Sequence, residues 1–134
     1  ESIRKAKELF PNDNFECMPV QQLSNKFNKK FDKIIFFGLL HHLSDKDVIK
    51  LFQDLREVTN SETEIFCLDT SFMKNQNIFS RIMAKLDKGN FVRFPEELEN
   101  LFDTNFYEFD TKMFDNLLRL PCYHSFVKLN ITKS

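Results

Sequence analysis

Phe31–Asp45, FDKIIFFGLLHHLSD, packs a strand pattern, a glycine, two histidines and a helix start into fifteen residues. Ile34–Phe37 is apolar on both faces, as a central parallel strand is when helices cover each side of its sheet. The run ends at Gly38, where a missing side chain leaves room at the carboxyl end of the strand, the edge at which open α/β sheets bind ligands. His41 and His42 follow on the loop. Ser44 and Asp47 then form an S-x-x-D capping box, and Val48, Leu51, Phe52, Leu55 and Val58 recur at helical spacing. Asn60-Ser61 breaks the pattern before a second apolar strand, Ile65–Leu68. Strand, helix and strand with short connections predict a βαβ crossover and a parallel sheet.

Upstream, Ile3, Ala6, Leu9 and Phe10 make the apolar face of a helix that Pro11–Asn14 stops, and Phe15–Met18 is a short strand candidate. Nothing precedes Glu1 to cap that helix, so an N-terminally incomplete domain is expected. Downstream, Ile78, Phe79, Ile82, Met83 and Leu86 predict a helix, and Pro95 opens a shorter one with Leu98, Leu101 and Phe102 inward. The period then changes to two. Tyr107, Phe109, Thr111 and Met113 alternate with charged residues, and Tyr123, Ser125, Val127, Leu129 and Ile131 alternate with His124, Lys128 and Asn130. These two strands read as an antiparallel pair closing one edge of the sheet.

Bulk properties narrow the function. With 134 residues the chain holds one domain, residues 1–134. Gly38 and Gly89 are the only glycines, so the sequence contains no Gly-rich nucleotide loop. The net charge of −1 and the short, interrupted basic clusters argue against a nucleic-acid partner. The longest apolar run, Ile34–Leu40, is too short to span a bilayer, and no membrane association is expected. Cys17, Cys67 and Cys122 lack metal-ligand spacing, so no metal is expected, and Cys67 within an apolar run reads as a buried, reduced thiol. A cytoplasmic compartment fits these features.

The segment from Phe31 to Asp45 resembles the strand-four segment of class I S-adenosylmethionine-dependent methyltransferases, F-D-hydrophobic run-G-x-L-H-H-L-x-D. Asp87-Lys88-Gly89-x-x-Val92-Arg93-x-Pro95-Glu96-Glu97 resembles a D-R-G-x-x-V-R-x-P-E-E segment of methyltransferases in sugar or surface-glycan pathways. Arg119-Leu120-Pro121-Cys122-Tyr123-His124 stands against a pattern nearer R-I-P-Y-x-H. The resemblance implies a Rossmann-like α/β three-layer sandwich with strand order 3-2-1-4-5-7-6, of which this chain would supply strands three to seven. It also implies S-adenosylmethionine as cofactor and a small-molecule methyl acceptor. Two departures accompany it. The glycine motif of the first strand and the ribose-binding acid of the second are absent, so the segment alone is expected to be inactive. Pro19 occupies the position at which the family's Asp contacts adenine, and it has neither an acceptor side chain nor an N–H.

On this resemblance Phe37, Gly38 and Leu39 lie nearest the methionine end of the cofactor, and His42 is the candidate general base. His41 reads as a structural histidine. Asp69, at the end of the next strand, and Arg93 are candidate substrate ligands, with pairing of Arg93 to Glu96 or Glu97 as the alternative. His124, on the polar phase of an edge strand, is expected at the surface. The rival reading is a non-catalytic methyltransferase-like module that binds a partner.

Overall fold

The computed structural model of the chain describes residues 1–19, 22, 26–27, 29–76, 78, 81–82, 90–115, 117 and 122–132. Within these, β1 (Lys33–Phe37), β2 (Glu64–Ser71), β3 (Tyr107–Phe114) and β4 (Tyr123–Ile131) form one mixed sheet in the order β1-β2-β4-β3. β1 and β2 are parallel, and β4 runs antiparallel to both β2 and β3. The helices are α1 (Ser2–Leu9), α2 (Asp45–Leu55) and α3 (Pro95–Glu99). The crossover from β1 through α2 to β2 is the one the sequence predicts. The four strands reproduce the 4-5-7-6 portion of the expected order.

Helix α2 begins where the capping box places it. Ser44 Oγ accepts from the Asp47 amide at 3.3 Å and donates to Asp47 Oδ2 at 2.6 Å. Val48, Leu51, Phe52 and Leu55 are buried from α2, and they share one core with Phe36, Ile65, Cys67, Val127 and Leu129 of the sheet. Phe52 is the centre of an aromatic cluster, edge-on to Phe36, Phe102 and Tyr107 with ring centroids 6.1, 4.8 and 5.6 Å away. The Tyr107 hydroxyl donates to the Phe52 carbonyl at 2.6 Å, so its polar tip is satisfied inside the core. Burial pushes the Tyr107 phenol up to about 12, which keeps it a donor.

Three expectations change. β1 is an edge of the sheet among the described residues, and its second face is open: Ile35 is 69% and Phe37 78% exposed. The apolar run therefore has cover on one side only, because α1 buries none of its residues and no other described strand flanks β1. Phe15–Met18 joins no strand; it is followed by Pro19, which lacks an N–H, and Phe15 instead packs near Phe10 with centroids 6.4 Å apart. His124 is buried, and β4 lies between β2 and β3 rather than at an edge. The helical pattern around Phe79, Met83 and Leu86 and the motif residues Asp87–Gly89 and 119–121 fall outside the described residues.

Candidate functional site

At the carboxyl end of β1 the chain turns sharply through Gly38, whose φ is +58°. A Cβ there would meet only His41 Cε1, at 3.7 Å, so backbone conformation rather than space selects glycine. Gly38→Ala is expected to cost about 1–2 kcal/mol, the penalty for an L-residue in the left-handed region. Urea denaturation of the variant measures it, and an unchanged midpoint would refute the conformational account.

Beyond Gly38 a single turn of 3-10 helix, Leu40–His42, leads into α2, and two side chains hold it from opposite sides. Asp69, near the carboxyl end of β2, is 4% exposed. Its Oδ2 accepts the amides of Leu40 at 2.5 Å and His41 at 3.3 Å, and its Oδ1 faces His41 Nδ1 in a very short contact. Arg93 takes the carbonyl side. Its Nη1 donates to Leu40 O at 2.9 Å and Phe91 O at 3.0 Å, its Nη2 to Leu43 O at 2.6 Å. Nε and Nη2 reach Asp45 Oδ1 at 2.9 and 2.7 Å. These five bonds use all five N–H donors of a guanidinium.

Next to this loop, at the carboxyl ends of β1 and β2, lies a cleft of about 410 Å³ lined by Phe37, Gly38, Leu68, Asp69, Thr70, Leu117 and His124. The structure thus brings Phe37, Gly38 and Asp69 together at one site. Leu39 packs on the core, and its side chain is absent from the cleft lining. His42 is exposed, stacked on His41 with centroids 4.0 Å apart, and does not line the cleft. Arg93 has no donor left for an anion, and its acidic partner is Asp45; Glu97 instead accepts the Phe94 amide at 2.8 Å, and Glu96 pairs with Lys74 at 2.7 Å. Thr70 and His124 were not singled out as site residues from sequence. They face each other across the β2–β4 ladder, and that pairing register has no signature in the sequence around either residue. Burial, and then the nearby Asp69, raise the Cys67 thiol, which keeps it an inert core residue. Among the described residues no cluster of His, Cys, Asp or Glu could hold a metal ion.

Sheet order, crossover and the position of the cleft define a class I methyltransferase fold. Solved structures agree. The mitomycin 7-O-methyltransferase MmcR matches over 98% of this chain and 38% of its own, at 11% identity and a TM-score of 0.69. Human N-acetylserotonin methyltransferase in complex with SAM matches over 97% and 38%, at 13% identity and 0.68. The plantazolicin methyltransferase BamL, in complex with a triazolic desmethylPZN analog and SAH, matches over 96% and 64%, at 14% identity and 0.68. Among curated proteins, the tRNA U34 carboxymethyltransferase of Campylobacter fetus subsp. fetus (strain 82-40) is 40% identical over 68 residues. That match covers 51% of this chain and 23% of the relative, so it spans about a quarter of the relative's length. No protein-family profile matches the chain.

Proposed function

We propose that this chain belongs to an S-adenosylmethionine-dependent methyltransferase that acts on a small-molecule acceptor. The observation that carries the reading is the cleft at the carboxyl ends of β1 and β2, walled by Gly38 at positive φ and the exposed ring of Phe37. An apolar wall with an accessible aromatic face suits the cationic end of the methyl donor. Phe37 and Gly38 are the residues that would hold that end. When bound, S-adenosylmethionine supplies an electrophilic methyl group. The chain's own contribution is positional: Asp69 and Arg93 fix the loop that borders the cleft.

A small-molecule acceptor fits this cleft better than nucleic acid, because its described lining contains no Lys or Arg to meet a phosphate. The tRNA relative keeps nucleic acid as the second reading, to be separated by assay. Pro19, at the position matching the family's adenine-contacting Asp, favours the non-catalytic rival, since it offers neither an acceptor side chain nor an N–H.

Calorimetric titration of the full-length protein with S-adenosylmethionine decides between enzyme and module. Saturable binding is expected, weakened about fivefold in Phe37→Ala by loss of the ring's cation contact. Absence of any binding heat would leave the partner-binding module as the surviving reading.

A further inference from the structure

The cleft has two chemical parts. Phe37, Leu68 and Leu117 give it apolar walls, while Thr70 and His124 bring polar side chains to the same cavity. Asp69 also borders it, but both carboxylate oxygens are taken by Leu40, His41 and Thr70 groups. The three histidines divide cleanly: His41 is buried against Asp69, His42 is exposed on the loop, and His124 lines the cleft. Thr70 and His124 are direct partners in the antiparallel ladder, so their side chains emerge on the same sheet face.

We infer that the cleft takes a largely apolar acceptor bearing one protic group, and that His124 and Thr70 hold that group. The inference rests on the methyl-transfer reading for the word acceptor, and on geometry for the residues. An imidazole has two nitrogens, and a threonine hydroxyl can both donate and accept, so each can serve a ligand while keeping a protein partner. A sugar fits less well, because hydroxyls set against Phe37, Leu68 and Leu117 would find no side-chain partner there among the described residues. A ring system with a single hydroxyl or N–H loses little there. His124 is also placed to accept the proton that such a group gives up.

The test uses 2-naphthol as probe, titrated into the full chain while the imidazole signals of the three histidines are followed by NMR. 2-Methoxynaphthalene, which has the rings but no O–H, and methyl glucoside serve as comparisons. Expected are saturable binding of 2-naphthol, shifts at His124 with His42 unmoved, and an affinity about tenfold above that of 2-methoxynaphthalene, the worth of one hydrogen bond. His124→Phe, which keeps the bulk, should lose that preference, and the shifts in the unmodified chain stand even if the variant does not fold. Equal binding of both naphthalenes, tighter binding of the glucoside, shifts confined to His42, or no binding would each overturn the inference. Capture of 2-naphthol at His124 by a protein that ignores S-adenosylmethionine would sink the methyl-transfer reading alone. The converse would sink only the assignment of acceptor class.

Discussion

Asp69→Ala is expected to lower the unfolding free energy by about 3–5 kcal/mol, the summed cost of leaving several buried donors without their acceptor. The carboxylate is 4% exposed and receives two loop amides as well as His41 Nδ1. Alanine would leave those donors without an acceptor in a dry setting, and each such loss is itself expensive. Asp69→Asn should be milder, since its amide oxygen can still accept from Leu40, although the imidazole must then change its donor arrangement. Urea denaturation gives the stability, and hydrogen exchange at the Leu40 and His41 amides reports the loop directly. A loss below about 1 kcal/mol with both amides still protected would show that the loop does not depend on Asp69.

Arg93→Ala comes second, at about 2–3 kcal/mol, in the range for hydrogen bonds to a charged group. Its arm toward Asp45 contributes little, because that carboxylate is largely exposed and solvent screens the pair. The weight lies on the carbonyls of Leu40, Leu43 and Phe91, which converge on a side chain only 10% exposed. Arg93→Lys should recover less than half of the loss, because three donors on a single nitrogen cannot span a fork-shaped set of acceptors. Thermal unfolding of both variants measures this. Full rescue by lysine would mean that charge, and not fork geometry, is what Arg93 supplies. If Arg93 were chiefly a substrate ligand, neither variant would lose stability.

Much of the architecture was legible because it is written in local patterns. Ser44 and Asp47 marked the start of α2, the period of Val48, Leu51, Phe52 and Leu55 marked its buried face, and the alternation from Tyr107 onward marked β3 and β4. The errors share one origin: strand neighbours are non-local. An apolar run such as Ile34–Phe37 reads as interior whether or not a second layer covers it, and the exposure of Ile35 and Phe37 depends on elements far away in sequence. His124 failed in the opposite sense, since two-residue alternation says which residues share a face but not which strands flank them. For the site, Gly38 could be read because positive φ has a residue signature. The roles of Asp69 and Arg93 could not, because the loop atoms they hold, from Leu40 to Leu43, are backbone atoms at least 28 positions away, and backbone atoms look alike in every sequence.

The order β1-β2-β4-β3 has a consequence for how the chain leaves the ribosome. β3 is made before β4 yet touches the rest of the sheet only through it. While β3 emerges it has no strand to pair with, and only its contact with α2, through Tyr107 and Phe52, is available. The hairpin with β4 can form locally, but joining it to β2 closes a loop from Ser71 to Tyr123 and waits on the last strand. A pause or a stop within Tyr123–Ile131 would therefore leave β3 held only by its contact with α2, with no strand to join it to β2 and the cleft wall that carries His124 incomplete.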